Sequence, residues 1–290
     1  MDSVNLNNEH EAYEDPRSLY EIQAEVNAVL RNARIPCLVS GNMMKEILGY
    51  TTYVWHMDII LEDEDMGRAV KALREAGYNN HPKHVGCWYR NRFTDDFRRV
   101  PCNPAHVFHF QQRIWERRTR RFHLDLRLYR KSEYFWALPE IPLAGASENN
   151  RHYIWTDDPR LPRHHPEDRQ SLGAFPYQMP PVMIPSPARV IEAVIRLKAR
   201  DRKRPCRGRV WDLTLAHFMN VGTKEITPGG PSPIYGPLYD PDAFECIFRE
   251  WWISELQADC IRSIDLPLQL EQRLECNELP EPHTAPADLT

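Results

Sequence analysis

The spacing of hydrophobic residues predicts alternating helices and strands in the first half of the chain. Leu19, Ile22, Val26 and Leu30 recur at the spacing of one helix face, which predicts a helix opened by the capping pair Asp15-Pro16. Short apolar runs rich in β-branched and aromatic residues predict strands, and glycines end two further helices. The predicted order is helix (16 to about 30), strand (35–39), helix (43–48), strand (53–61) and helix (66–76). This order is typical of an α/β fold.

A later segment, 122–128, alternates strictly. Phe122, Leu124, Leu126 and Leu128 fall on one face, and His123, Asp125 and Arg127 fall on the other. Because side chains alternate across a strand, this pattern predicts a half-buried strand with the polar residues on the open face. A short strand is also predicted at 107–110, so we expect a small mixed sheet.

The second half of the chain predicts a long loop followed by helices. Residues 138–185 are rich in Pro, Asp, Arg and His, which predicts a long ordered loop. Ser186-Pro187 then opens a helix to about residue 202, and 210–219 and 242–259 predict further helices. The expected organisation is a disordered acidic N-terminus (1–15), an α/β core (16–137), the loop (138–185), a helical C-terminal part packed on the core (186–276) and a disordered tail (277–290).

Composition narrows the class of protein. Of 290 residues, 42% are hydrophobic and 27% charged, and the net charge of −4 excludes a polycation that binds nucleic acid over its whole surface. No apolar run approaches the roughly 20 residues of a membrane helix, and the first residues do not form a signal peptide. The seven cysteines form no CxxC pair, which favours a reducing compartment. We therefore expect no membrane partner and a cytoplasmic location, with the nucleus as an alternative.

Three segments carry the candidate chemistry. Ser40-Gly41 forms a small-residue turn between a strand and a helix, His56 and Asp58 share one strand face, and Asp125 lies on the alternating strand. If the two strands are neighbours, an imidazole and two carboxylates converge beside a turn suited to phosphate. Such a group is a plausible divalent-metal site.

This pattern resembles the nucleotidyltransferase fold superfamily, in which a small-residue turn precedes Asp-x-Asp on the next strand and a third Asp on a later strand. His56 falls at the first acidic position, Asp58 at the second and Asp125 at the third. Arg196-Leu-Lys198 and Trp211-Asp-Leu213 look like the helical pair behind the active site of small members. The order of Leu61-Glu-Asp-Glu-Asp65, 122–128, Trp136-Ala-Leu-Pro139, 158–162 and 184–189 further resembles a group of divergent fungal proteins of unknown function.

The resemblance implies a nucleotidyltransferase-like core and a set of site residues. Ser40, Gly41 and Asn42 would cradle phosphate, and Arg127 or Lys198 would neutralise its charge. His56, Asp58 and Asp125 would be the catalytic, metal-binding residues, with Mg²⁺ or Mn²⁺ and a nucleotide as cofactors. Because Mg²⁺ prefers oxygen ligands, the histidine at the first position predicts impaired transfer. The leading hypothesis is therefore a divergent, catalytically impaired protein that binds a nucleotide or another phosphorylated small molecule.

Two alternatives stay open at this point. Basic residues concentrate in 113–131 and 189–209, which could bind RNA, although a solvated helix face would show the same composition. Asp157-Asp158 is slightly similar to the DDxxE motif of fungal arginine-containing cyclodipeptide synthases, which use aminoacyl-tRNA. This similarity suggests an active, tRNA-dependent transferase of fungal secondary metabolism. The other alternative is a non-catalytic interaction protein, in which arginines fill the space between the carboxylates as ion pairs.

Overall fold

The computed structural model is mixed α/β and describes most of the predicted core. The described residues are 19–50, 54, 56–78, 104–112, 122–143, 150–162, 179–201, 210–212, 214–215, 218, 241–245, 248–249, 268–270 and 272–273. The predicted disordered ends, 1–15 and 277–290, lie outside these residues. No helix in the described ranges has both the length and the apolar character needed to span a membrane.

Four strands form the main sheet, in the spatial order β1-β2-β4-β3. The β2–β4 pair is parallel, whereas β1–β2 and β3–β4 are antiparallel, so the predicted small mixed sheet is confirmed. The strands are β1 (Cys37–Ser40), β2 (His56–Leu61), β3 (His106–Gln112) and β4 (Phe122–Arg130). Each lies within a few residues of its predicted position.

Three helices accompany the sheet in the first half of the chain. They are α1 (Leu19–Asn32), α2 (Gly41–Ile47) and α3 (Met66–Glu75). In α1, Ile22, Val26 and Leu30 are buried as their spacing predicts. The α2 helix begins two residues earlier than its sequence suggests, because Ser40 rather than Asn42 is the N-cap residue.

The β4 strand is not half-buried, contrary to the prediction. Leu126 and Leu128 are buried on one face, but Asp125 and Arg127 on the other face are also 1% and 3% exposed. The reason is that the two charged side chains form an ion pair with each other, which lets both leave water. The side of β4 that carries Asp125 and Arg127 is therefore buried as well.

The loop predicted over 138–185 contains regular structure. Strands β5 (Tyr153–Trp155) and β6 (Met183–Pro185) form a separate antiparallel pair, and β6 lies beside β1. Their three-residue length is below what hydrophobic periodicity can detect.

The turns after the two parallel strands are joined by hydrogen bonds. Glu62, directly after β2, accepts a bond from the Ile141 amide at 2.8 Å and pairs with Lys131 at 2.9 Å. Asp63 accepts bonds from the Ser132 amide and hydroxyl at 3.2 and 2.5 Å. Lys131 begins the short helix α4 (Lys131–Tyr134). These contacts hold the C-terminal ends of β2 and β4 next to each other at one edge of the sheet.

The predicted helix of the C-terminal part is α5 (Pro187–Arg200), and twelve of its residues are buried. Within α5, Arg189 pairs with Glu192 at 2.5 Å. Arg196 of the same helix pairs with Glu245, further along the chain, at 2.8 Å. Positions 210–212, 214–215 and 218 are helical, and Phe218 packs edge-on against Tyr50 of the core. The described C-terminal residues therefore share the hydrophobic core of the α/β part.

Candidate functional site

The register of the sheet brings the predicted site residues to one face. Ser40 is opposite Asp58 in the β1–β2 pair, and in the β2–β4 pair His56 is opposite Asp125 and Asp58 is opposite Arg127. Opposite residues of paired strands point to the same side. Strand spacing and rise place the Cα atoms of Asp58 and Asp125 about 8 Å apart. We call this surface the polar face, and it comprises Ser40, His56, Asp58, Asp125 and Arg127.

The first residue of α2 lies against the Asp58 carboxylate. Gly41 has a φ of +64°, a left-handed conformation that favours glycine. A Cβ atom built on Gly41 would lie 2.1 Å from Asp58 Oδ2, so no side chain fits there. Ser40 makes no side-chain hydrogen bond as N-cap, and Asn42 follows, half-buried, on the helix. The carboxylate of Asp58 thus lies close to the turn that the resemblance assigns to phosphate.

Asp58 itself has one oxygen without a partner. The residue is 8% exposed, and its Oδ2 atom lies 3.5 Å from His56 Nε2. Its Oδ1 atom is buried and accepts no hydrogen bond from any described residue. Leaving a buried acceptor unsatisfied costs about 1–3 kcal/mol, and more for a charged group. This oxygen is therefore suited to receive a hydrogen bond or a cation from a ligand.

The Arg127 side chain supplies a positive charge next to the two carboxylates. Arg127 Nη2 lies 3.7 Å from Asp125 Oδ2. Burial alone would lower the pKa of Arg127, but Tyr129, Asp58 and Asp125 together raise it above its ordinary value. The guanidinium is therefore charged and balances part of the negative charge of the two carboxylates. Across the described ranges, no three His, Cys, Asp or Glu side chains are placed to hold a metal ion.

His56 is a neutral member of the polar face. Burial lowers its pKa below the ordinary value, and Arg127 and Lys45 lower it further, although Asp58 and Asp125 act in the opposite direction. A neutral imidazole can donate one hydrogen bond and accept another, but it adds no positive charge. His56 therefore cannot replace Arg127 or a metal ion as the counter-charge to Asp58.

Lys45 is a site residue that the sequence reasoning missed. It lies on α2, four residues after Gly41, and is half-buried. Burial lowers the pKa of its amine, while the nearby Asp58 raises it. The available sequence signal was its position one helical turn after Gly41, although the sequence does not show that this part of the helix lies near Asp58.

Lys198, in contrast, is engaged elsewhere. Its amine lies 2.6 Å from Asp212 Oδ1, which joins α5 to the helical positions after 210. No described contact links Lys198 to the polar face. The structure therefore brings together Ser40, Gly41, His56, Asp58, Asp125 and Arg127 but not Lys198.

The two basic segments are described only in part. Residues 113–121 and 202–209 lie outside the described residues. Within these two segments, every described lysine and arginine pairs with a carboxylate: Arg127, Arg130, Lys131, Arg189, Arg196, Lys198 and Arg200. Asp158 likewise pairs with Arg160 at 2.6 Å. The positive charges of these described side chains are therefore balanced by carboxylates of the same chain, so they do not favour RNA binding.

Comparison with protein-family models, curated proteins and solved structures finds no match for this chain.

Proposed function

We propose that this protein is a divergent nucleotidyltransferase-fold protein that binds a nucleotide or another phosphorylated ligand on the polar face, with transfer chemistry impaired. The observation that carries the proposal is Asp58 Oδ1, a buried carboxylate oxygen without a partner among the described residues. Two basic side chains interact electrostatically with the Asp58 carboxylate: Arg127, opposite Asp58 in the sheet, and Lys45 of α2. An unsatisfied acceptor among cations suits a ligand that brings both a donor group and an anion.

The impairment follows from the ligands available for a metal ion. Phosphoryl and nucleotidyl transfer depend on divalent ions held by carboxylates beside the phosphates. Here Asp125 is paired with Arg127, and the first acidic position is His56. The described donors therefore do not fit a transfer-competent pair of Mg²⁺ or Mn²⁺ ions. We propose that binding does not require either ion.

Thermal unfolding with ligands tests this proposal. Each of the four common nucleoside triphosphates, and inorganic tripolyphosphate, is added in EDTA, in Mg²⁺ and in Mn²⁺. A ligand at 100 times its dissociation constant stabilises by about 2.7 kcal/mol. We expect at least one nucleotide to raise the melting temperature in EDTA as much as in either metal.

Asp58→Ala then locates the site, with Asp158→Ala as the matched control. Because Asp58 Oδ1 is expected to accept a hydrogen bond from a ligand hydroxyl or amine, Asp58→Ala removes that acceptor and lowers the preference for the nucleotide over tripolyphosphate. Asp158 pairs with Arg160 outside the polar face, so its variant keeps the wild-type preference. The proposal is refuted if neither a nucleotide nor tripolyphosphate stabilises the wild type, or if both variants keep that preference.

A non-catalytic interaction protein is the second candidate, and one observation favours it. The buried Arg127–Asp125 pair shows that part of the polar face is already filled by an internal ion pair. In that case no phosphorylated compound shifts the melting temperature under any metal condition. The same experiment therefore separates the two functions.

A further inference from the structure

We infer that Lys45 is the residue that contacts the phosphate of the bound ligand, the role that the sequence suggested for Arg127 or Lys198. This inference rests on the proposed function and adds to it the cation that recognises the anion. It also predicts the ligand class, a phosphorylated compound with a hydroxyl or amine close to its phosphate.

The geometry of α2 directs Lys45 toward the polar face. The Cβ position of Gly41 points at Asp58, 2.1 Å from Oδ2, so this side of the helix faces the carboxylate. Residues four apart lie one above the other on a helix surface. Lys45 therefore extends from the same side, one turn further along.

The electrostatic interactions of Lys45 agree with this placement. Its amine interacts with the Asp58 carboxylate and also with the His56 imidazole. It forms no ion pair with either, nor with any other described residue, at the distances that hold Lys198 to Asp212. Among the described residues, the Lys45 ammonium therefore has donors available for an anion, whereas Lys198 is held by Asp212 and Arg127 lies beside Asp125.

Partial burial makes an anionic ligand favourable for this amine. Removal from water disfavours the ammonium form, and Asp58 only partly compensates. A phosphate oxygen would supply charge-assisted hydrogen bonds in place of the missing solvent. Arg127 is less suited to this role because its guanidinium is 3% exposed and already lies beside Asp125.

The ligand class follows from Lys45 and Asp58 together. Lys45 donates to phosphate, and Asp58 Oδ1 accepts from a neighbouring O–H or N–H group. A nucleotide with its ribose hydroxyls has both groups, whereas tripolyphosphate has only the anion. We expect a nucleotide to bind more tightly than tripolyphosphate to the wild type.

Calorimetric titration of Lys45 variants tests the inference, with ATP, tripolyphosphate and adenosine as probes in EDTA. Loss of a hydrogen bond to a charged group predicts that Lys45→Met weakens ATP and tripolyphosphate about tenfold to a hundredfold. Adenosine, which has no phosphate, changes little. Lys45→Arg restores most of the affinity, because it keeps the charge. The matched control is Lys71→Met, since Lys71 is 78% exposed on α3 and pairs only loosely with Glu75 at 3.8 Å.

The outcomes separate this inference from the proposed function. If the wild type binds ATP and Lys45→Met binds it as tightly as Lys71→Met does, the role of Lys45 is wrong and the proposed function stands. If neither a nucleotide nor tripolyphosphate binds the wild type, the proposed function fails and the inference fails with it. Lys45→Met is expected to fold, because a half-buried ammonium is replaced by an apolar group of similar length; unfolding of the unliganded variant checks this.

Discussion

Replacement of Gly41 by alanine tests the close approach of α2 to Asp58. The added Cβ would lie 2.1 Å from Oδ2 and 3.0 Å from Cγ of Asp58, so the buried carboxylate must move. Overpacking of this kind costs about 1–3 kcal/mol. The left-handed φ of +64° adds about 1–2 kcal/mol for a residue with a side chain. Alanine also restricts the unfolded chain, which returns about 0.4–1 kcal/mol. We expect a net loss of about 3 kcal/mol.

Two other glycines separate these contributions. Gly77 has a φ of +95° with open space around its Cβ position, so Gly77→Ala meets only the backbone cost and loses about 1 kcal/mol. Gly67 lies in α3 with open space and no positive φ, so Gly67→Ala gains about 0.5 kcal/mol. The same Gly→Ala change is therefore expected to destabilise the protein strongly at position 41 and weakly at position 77, and to stabilise it at position 67.

Urea unfolding of the three variants measures these free energies. Asp58→Ala, alone and combined with Gly41→Ala, completes a double-mutant cycle: it removes the contacts with Oδ2 and Cγ, leaves the Asp58 Cβ at 3.2 Å and keeps the backbone cost. We expect a coupling energy of about 2 kcal/mol between the two positions. If Gly41→Ala costs no more than Gly77→Ala, or if the coupling is absent, the Asp58 carboxylate does not lie against α2 and the described site geometry is wrong.

Two further predictions concern buried acids. Burial raises the pKa of Glu46 to about 7, although its hydrogen bond from Tyr20 at 3.0 Å lowers it, so the folded state binds the proton more tightly than the unfolded state. The free energy of unfolding contributed by Glu46 then falls as pH rises from about 4.5 to about 7. Because Gln does not titrate, Glu46→Gln should gain on the order of 3 kcal/mol over the wild type across that window. If urea unfolding shows a difference between variant and wild type that is constant with pH, this prediction is wrong. Asp201 is fully buried and accepts bonds from Arg200 and from Trp211 Nε1 at 2.9 Å. Asp201→Ala should therefore cost about 3–5 kcal/mol, because it leaves the Arg200 side chain, which is 5% exposed, without that carboxylate, and Trp211→Phe about 1.5–3 kcal/mol, because it removes one hydrogen bond to a carboxylate. Equal losses in the same assay would show that no buried charge had been uncovered.

The order of elements in the core was predictable because long, regular patterns specify it. The spacing of Leu19, Ile22, Val26 and Leu30 fits α1, and the apolar run before Glu62 fits β2. Strands β5 and β6 were not predictable, since three residues are too few to show a period. Burial of the second face of β4 was also missed, because alternation gives the period of a strand but not what covers its polar side.

The site was predictable only as far as strand register allows. The spacing of His56 and Asp58 on one strand placed them on one face, and convergence with Asp125 depended on whether the two strands are neighbours. The parallel pairing of β2 with β4 meets that condition and places Arg127 opposite Asp58. An ion pair of Asp125 with a neighbouring arginine was one of the alternatives that the sequence left open, because a charge on the polar side of a strand predicts solvent equally well; the structure shows the pair with Arg127. Sequence also could not show that Lys198 is unavailable for phosphate. Its partner Asp212 lies on another helical segment and becomes a neighbour only in the folded chain.

The parallel pairing of β2 with β4 also has a consequence for folding kinetics. About sixty residues separate the two strands along the chain, so their pairing contributes strongly to contact order and is expected to form slowly. A partly folded chain that has paired β1 with β2 contains Asp58 but lacks the facing Asp125 and Arg127. A ligand of the polar face therefore recognises only chains in which β4 has joined the sheet. Such a ligand should slow unfolding while leaving the rate of folding almost unchanged.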